Sequence, residues 1–299
     1  MKPSLTTKVL LATALFTSSV PSFATENGGT VVPVGVQSVL PGMLAAPGTY
    51  LYNYNAYVKG FSARDEHGDD TGMGLKMATS ANAFRFLHVF DENVLGNGNL
   101  AFETSIVYTD NRMKMHYVGD SRNSGISDIT FGPSLGRHFG SYNDIFVLLF
   151  TAPTGDYDKN RLANVGRNYW GIQGSYAWTW YPMQNWDVSG LFKVIYNTEN
   201  EDTHYQSGME TNFEYSSNYY FSNGMFVGVG GFWHGQFTDD KQNGHVVGEN
   251  GNKVNEIALG PQVGWGTPQY GAYFSWKRSV LAKNTMDISQ LWLNTFLTF

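Results

Sequence analysis

Apolar and polar residues alternate along most of the chain after about residue 48. In the run 208–221 the odd positions include Met209 and Phe213, whereas the even positions include Glu210 and Asn212. A period of two is that of a β-strand with one apolar and one polar face. The same alternation recurs in the runs 100–109, 170–180, 186–197 and 255–265. The pattern therefore predicts an all-β protein.

Twelve strand candidates follow from the positions of turn-forming residues, and each is long enough for the roughly 9 to 11 residues that a tilted membrane strand needs. An even number of antiparallel strands closes a barrel with both of its ends on the same side. The candidates begin near Tyr50, Met77, Asn99, Ile126, Asp144, Tyr169, Trp186, Gly208, Met225, Val254, Tyr270 and Asp287.

The connections between these strands alternate in length. The short ones are 140–143, 182–185, 222–224 and 266–269, and the long, charged ones are 64–74, 110–125, 154–168, 198–207 and 239–253. Short periplasmic turns and long extracellular loops are typical of outer-membrane barrels, whereas a soluble sandwich has no reason to alternate in this way. We therefore predict a transmembrane antiparallel β-barrel of about 12 strands over residues 48–299.

Composition and charge support this class. Aromatic residues make up 15% of the chain and glycines number 34, while charged residues reach only 15%, against about 25% in ordinary soluble domains. After the N-terminus no stretch approaches the 18 or so apolar residues of a membrane helix. A net charge of -6 argues against a nucleic-acid partner. There are no cysteines, so a disulfide framework is excluded.

The N-terminus has the pattern of a secretory signal peptide. Lys2 and Lys8 precede an apolar run at 9–20, and small residues at Ser22 and Ala24 form a cleavage site. The run is about a dozen residues, which is too short to span a bilayer as a helix. We expect residues 1–24 to be removed on export to the outer membrane of a Gram-negative cell. Residues 25–47, rich in Gly and Pro, are then either a plug in the lumen or a periplasmic tail.

The last strand carries an assembly signal. Leu291, Leu293 and Leu297 share a face with the terminal Phe299, and outer-membrane barrels typically end in this way. We expect Phe299 to be read by the barrel assembly machinery. Outer-membrane lipid is the second expected partner.

Alternation also predicts which charged and polar side chains line the lumen. They are of both signs, so they form either a static network of ion pairs or a selective constriction. The predicted lumen-lining residues are Lys59, Arg85, Glu103, Asp128, Lys193, Glu210, Glu214, His234, Gln236, Glu256 and Lys277.

Several motifs together resemble one family. They are Ser124 to Pro133, Pro153-Thr154-Gly155-Asp156-Tyr157, Asn164 to Trp170, Tyr205 to Gly208, Gln236 to Lys241 and Ala258 to Gly264. This set is similar to the meta-pathway phenol-degradation family of outer-membrane proteins, over roughly 48–299. The family's proline run before Gly-x-Tyr is here only Ala45-Ala46-Pro47-Gly48-Thr49-Tyr50. The resemblance implies a barrel that passively admits small hydrophobic or aromatic solutes.

Two other function classes stay open: an outer-membrane enzyme such as a lipid hydrolase, and a structural or adhesive barrel that acts through its loops. His138 and Ser141 border a short turn, the wrong end for lipid hydrolysis in the outer leaflet, and His234 has no serine beside it. Alternate oxygens at Asp156 and Asp158 resemble a calcium loop without its remaining ligands. We therefore expect no enzyme activity, no cofactor and no metal.

Overall fold

The computed structural model describes residues 25–94, 96–267 and 269–298. The predicted signal peptide 1–24 and the predicted assembly signal Phe299 lie outside these residues. No helix within the described ranges is long and apolar enough to cross a membrane. The strands of the main ring are β1 (Gly48–Ala63), β2 (Lys76–Val94), β3 (Gly98–Met115), β4 (Ile129–Phe139), β5 (Tyr142–Ala152), β6 (Gly171–Met183), β7 (Trp186–Asn197), β8 (Glu210–Tyr220), β9 (Met225–Gln236), β10 (Asn255–Gly266), β11 (Tyr270–Lys283) and β12 (Met286–Thr298).

These twelve strands form a closed antiparallel barrel, as predicted. Each strand pairs with its neighbour in the chain, and β12 closes the ring by pairing with β1 from Tyr50↔Thr298 to Ala63↔Met286. A closed ring leaves no strand edge, so backbone groups of the ladder can pair with each other without help from water. The predicted strand positions are also confirmed, since β7 begins at Trp186 and β9 at Met225.

The predicted long loop at 110–125 is wrong. Strand β3 continues to Met115, and a further strand, Gly119–Ile126, runs back along it with Arg112 opposite Arg122. This hairpin precedes β4, and both pair with β3. Its residues are polar on both faces because the hairpin projects beyond the apolar band, so no alternation marked it as strand.

The two ends of the barrel differ as predicted. One end, the short-turn end, carries tight connections such as Gly140-Ser141 and Gln184-Asn185. The opposite end, the long-loop end, carries the connections 64–75, 153–170, 198–209 and 237–254. Short strands in the last two loops, Tyr205–Gln206, Lys241–Gln242 and His245–Val246, form a small separate sheet. At this end only two residues, Asn284 and Thr285, join β11 to β12.

The outer surface is a band of exposed apolar side chains. Along β7 the exposed Trp186, Phe192 and Tyr196 alternate with the buried Leu191 and Lys193. An apolar band of about 25 Å with aromatic residues at both interfaces fits the hydrocarbon layer. Trp180 and Trp186 lie beside the turn 184–185, where an indole ring suits the interface.

The substitution Phe192→Arg tests the membrane band. Phe192 lies near the middle of β7 and points outward, so an arginine there should reduce the free energy of unfolding by about 2–4 kcal/mol. Tyr117→Arg is the matched control, because Tyr117 lies at the exposed tip of the hairpin beyond β3. Urea unfolding in lipid vesicles, followed by tryptophan fluorescence, measures both variants. Equal stability of the two variants would contradict the membrane band.

Candidate functional site in the barrel lumen

Residues 25–47, which precede β1, form hydrogen bonds with inward-facing side chains along the whole length of the lumen. At the long-loop end Glu26 N donates to Ser207 Oγ at 3.1 Å. Halfway along, Gly35 O accepts from Lys277 Nζ at 2.9 Å. Near the short-turn end Gly42 N donates to Thr179 Oγ1 at 3.1 Å. We call residues 25–47 the lumen segment.

Two glycines allow the lumen segment to lie this close to the wall. Gly35 has a φ of 80°, a conformation that side chains with a Cβ rarely adopt. At Gly42 a Cβ atom would come within 2.3 Å of the backbone nitrogen of Thr179. The segment therefore packs against backbone at Gly42 and not against a flexible side chain.

Strands β7 to β12 line their side of the lumen with paired charges. Lys193 Nζ lies 2.6 Å from Glu214 Oε1, and the two side chains are 1% and 0% exposed. Glu214 Oε2 also accepts the backbone N–H of Gln37 at 2.9 Å. His234 Nε2 lies 2.8 Å from Glu210 Oε2. This side is a packed polar network that holds the lumen segment.

Two further predicted residues complete this network. Glu256 accepts a hydrogen bond from Ser279 Oγ at 2.7 Å. Lys277 donates to Ser38 Oγ at 3.2 Å as well as to Gly35 O. Its ammonium group is thus satisfied mainly by neutral oxygens of the lumen segment.

Two cavities lie beside the lumen segment, and strands from all around the barrel line them. One cavity of about 470 Å³ lies toward the short-turn end and is lined by apolar and aromatic side chains that include Tyr52, Ile145, Phe226 and Phe296. The other, of about 360 Å³, lies toward the long-loop end. Residues of the lumen segment line both cavities, and Lys193, His234 and Glu256 of the polar network also line the one toward the long-loop end.

The two cavities meet at a shared set of residues that we call the junction. Its members are Gln37, Tyr54, Arg85, Glu103, Leu149 and Gln173.

Arg85 and Glu103 form an ion pair at the junction. The guanidinium carbon of Arg85 lies 5.3 Å from the ring centroid of Tyr52, within the range of a cation–π interaction. Among the described residues, neither Arg85 Nε nor Gln173 Oε1 has a hydrogen-bond partner, although both atoms are buried. The junction thus combines a neutralised charge pair with one donor and one acceptor.

The other two predicted lumen residues lie close to the outer loops. Asp128 accepts the backbone N–H groups of Gly155 at 2.9 Å and Arg167 at 2.8 Å. Gln236 Nε2 donates to Asp240 Oδ1. Their side chains therefore organise loops at the mouth of the barrel.

The prediction that Lys59 lines the lumen is wrong. The inward row of β1 contains Tyr54, Ala56 and Val58, and Lys59 lies on the outward row, where its Nζ is 5.2 Å from the ring centroid of the exposed Phe61. The inward row is apolar because Tyr54 and Ala56 pack against Val36 of the lumen segment. Polarity therefore indicated the wrong face on this strand.

Several important residues were not among the predicted ones. Leu149 and Tyr54 line both cavities, and Asp187 is buried beside Asn218 and Tyr220. For Asp187 the sequence did contain a signal, because the alternation along β7 placed this residue on the polar face of the strand. Nothing in the local pattern identifies the junction, because its members come from six different parts of the chain.

The residues considered for metal binding and hydrolysis have other partners in the structure. Within the described ranges no group of three or more His, Asp or Glu residues is arranged to hold a metal ion. Asp156 pairs with Arg161 at 2.5 Å, and this hydrogen bond and one from Asn123 keep the pKa of the Asp156 carboxyl below its usual value. His234 is buried inside the lumen, away from the outward surface where lipid would lie.

Comparison with known proteins agrees with the barrel. The family model described as "Putative MetA-pathway of phenol degradation" matches residues 61–295. An outer membrane channel from Pseudomonas putida F1 has a similar structure, with a TM-score of 0.75 and 17% sequence identity over 90% of this chain and 100% of that chain. The β-domain of the Bordetella autotransporter BrkA follows, with a TM-score of 0.50 and 10% identity over 85% of this chain and 100% of that chain. No match was found among curated protein sequences.

The substitution Lys193→Met tests the buried ion pair. It leaves the Glu214 carboxylate buried without its cation, so the free energy of unfolding should fall by about 3–5 kcal/mol. The double variant Lys193→Met/Glu214→Met should recover most of this loss, because no charge remains buried. As a control, Lys114→Met removes the exposed pair with Asp120 and should leave stability nearly unchanged. Urea unfolding in vesicles measures all three, and a small loss for Lys193→Met alone would refute the assignment.

Proposed function

Since this chain belongs to the MetA-pathway phenol-degradation family, we propose that it is an outer-membrane channel through which small hydrophobic or aromatic compounds enter passively. The short-turn end faces the periplasm and the long-loop end faces the exterior. Export by a signal peptide at 1–24 and insertion through the barrel assembly machinery into outer-membrane lipid accompany this function. The observation that carries the proposal is the pair of cavities that meet at the junction.

The walls of these cavities suit an aromatic ring. The cavity of about 470 Å³ lies within the range of roughly 300–1,000 Å³ of small-molecule sites. Tyr52, Phe226 and Phe296 line it, and apolar surface of this kind favours a solute that loses little hydration on entry. A sugar or an amino acid would lose hydrogen bonds to water where it lies against these aromatic side chains.

The junction favours an uncharged aromatic solute with a hydroxyl group. A hydroxyl has one acceptor and one donor to offer, which match in kind the two buried atoms without partners among the described residues, Arg85 Nε and Gln173 Oε1. Glu103 already neutralises Arg85, so a carboxylate solute would meet a site with no free positive charge. A simple phenol meets both requirements.

The lumen segment, residues 25–47, acts in this proposal as a plug within the barrel domain 48–299. Its hydrogen bonds to Lys277 and Thr179 support this role. The plug would narrow the passage to the two cavities, and it would thereby exclude large polar solutes.

A channel is favoured over an enzyme by the chemistry of the interior. His234, the residue considered for lipid hydrolysis, pairs with Glu210 at 2.8 Å inside the lumen. A histidine held by Glu210 inside the lumen has no access to the lipid surface. We therefore propose no enzymatic activity for this barrel.

The variant pair Leu149→Trp and Leu148→Trp tests the passage. Leu149 lines both cavities, whereas its neighbour Leu148 is exposed on the outer surface of β5. A tryptophan at 149 should fill the junction and lower the protein-dependent entry of a labelled phenol at least about tenfold, which is a barrier higher by about 1.4 kcal/mol. Uptake into vesicles with a lipopolysaccharide outer leaflet measures this, with protein-free vesicles as the baseline. No uptake above that baseline for the unmodified protein, or equal uptake by both variants, would contradict the channel.

Gly42→Val tests the plug. The new Cβ would collide with the backbone of Thr179, so the lumen segment must shift, at a cost of about 1–3 kcal/mol in stability. Displacement should raise phenol entry. Gly174→Val is the control, because a Cβ at Gly174 meets no atom within 4 Å. Unchanged uptake in Gly42→Val, with a folded barrel shown by its heat-modifiable mobility on gels, would argue against a plug.

A further inference from the structure

The outer end of the lumen segment is held by a buried carboxylate in the loop 237–254. Asp240 is 0% exposed. Its Oδ2 accepts from Thr25 N at 2.8 Å and from Tyr205 Oη at 2.5 Å. Its Oδ1 accepts from Gly208 N at 2.7 Å and from Gln236 Nε2. Four donors thus converge on one carboxylate, and one of them is the first described nitrogen of the chain.

Among the described residues no Lys, Arg or His pairs with Asp240, in contrast to its exposed neighbour Asp239, which pairs with Lys253 at 2.9 Å. Burial raises the pKa of the Asp240 carboxyl to about 6. A buried carboxylate without a cation is costly. The site therefore has the charge and the geometry to bind a cationic group.

Thr25 has an unfavourable backbone conformation for an internal residue. Its φ is 59° and its ψ is 155°, a region occupied almost only by glycine. Thr25 is also β-branched and only 3% exposed. The strain depends on the carbonyl carbon of the preceding residue, because that atom defines φ. If Thr25 is the first residue of the processed chain, that carbonyl carbon is absent, φ is no longer defined and the strain disappears.

The sequence predicts cleavage at this position, between Ala24 and Thr25. Hydrolysis of that bond gives the hydroxyl of water to the Ala24 carboxyl group and a hydrogen to Thr25 N, which takes up a second proton at neutral pH. The nitrogen that lies 2.8 Å from Asp240 Oδ2 then becomes an α-ammonium group. Capture of a terminal amine by a prepared set of acceptors is a known recognition mode.

We propose that the Asp240 pocket is a receptor for the chain's own processed N-terminus, in which the α-ammonium of Thr25 forms a buried ion pair with the Asp240 carboxylate. This ion pair anchors the outer end of the lumen segment. The other end of the segment continues into β1. Before cleavage Thr25 carries no charge and keeps the strained φ, so docking of the segment is coupled to removal of the signal peptide. The proposal rests on the cleavage site and is independent of the transported solute.

The neighbouring residue strengthens the anchor. The Glu26 carboxylate accepts from Asn200 Nδ2 at 2.7 Å and from Thr203 Oγ1 at 2.6 Å. Tyr157 donates to it at 3.2 Å, and burial raises the pKa of Tyr157 to about 12, so its phenol stays protonated. The titratable groups that face the terminus are thus Asp240, Tyr205, Glu26 and Tyr157.

The test measures the α-amine directly. Protein purified from outer membranes should have the intact mass of a chain that begins at Thr25. Its α-amine is then acetylated at a series of pH values, and the N-terminal peptide is quantified by mass spectrometry. A free α-amine has a pKa of about 7.7–8.0. Pairing with Asp240 should raise the pKa of the α-amine by at least about one unit. Because only the deprotonated amine reacts, acetylation at pH 7 should then be about tenfold slower or more.

The sign of the pKa change separates an ion pair from simple burial, because burial alone lowers the pKa of an amine. Asp240→Asn, which removes the charge, should bring the pKa of the α-amine to the free value or below it. Insertion of a glycine between Ala24 and Thr25 should do the same, since it moves the ammonium away from Asp240. Asp239→Asn, the matched control, should behave as the unmodified protein.

A chain that begins at another residue would overturn the proposal, and so would an α-amine whose pKa in the unmodified protein is not above the free value. These two measurements need no variant, so they decide the question even if Asp240→Asn fails to fold. A failure of phenol uptake would contradict the proposed channel but not the N-terminal ion pair. An α-amine with the pKa of a free amine would contradict the ion pair but not the channel.

Discussion

The structure depends on the closure of one hydrogen-bond ladder, the pairing of β1 with β12. In lipid a single open edge would leave a row of backbone groups without partners, so the ring must close. Closure fixes which face of every strand points outward, because side chains alternate along each strand. Outward positions then meet hydrocarbon, and inward positions meet a narrow interior. The lumen segment, the buried ion pairs and the cavities together fill this interior.

The lumen segment packs against two unlike sets of side chains. One set is the polar network, in which Lys193 pairs with Glu214 and His234 with Glu210. The other set lines two cavities that share Arg85 and Glu103, and the cavity toward the short-turn end has mainly apolar and aromatic side chains in its wall. Charges satisfied within a packed network stabilise the position of the segment, whereas apolar surface releases hydration readily. We propose that the solute passes through the cavities, beside the polar network that holds the segment.

The long loops do more than cover the mouth of the barrel. The loops 198–209 and 237–254 bind the first residues of the lumen segment through Ser207 and Asp240, and the small sheet between them fixes their spacing. A segment tied at its outer end and continuous with β1 at its other end cannot move as a free tail. The structure of these two loops therefore determines how the lumen segment is held inside the barrel.

The sequence by itself determined the number of strands, their approximate ends and most of their inward faces, because a period of two is a local property of the backbone. It could not determine contacts between distant residues, such as Arg85 with Glu103 or Thr25 with Asp240, which arise only when strands and loops meet in the ring. It also misassigned Lys59, since the inward face of β1 is apolar where it packs against Val36. The hairpin beyond β3 was missed because both of its faces are in water. There alternation carries no signal, and only pairing across the sheet decides the structure.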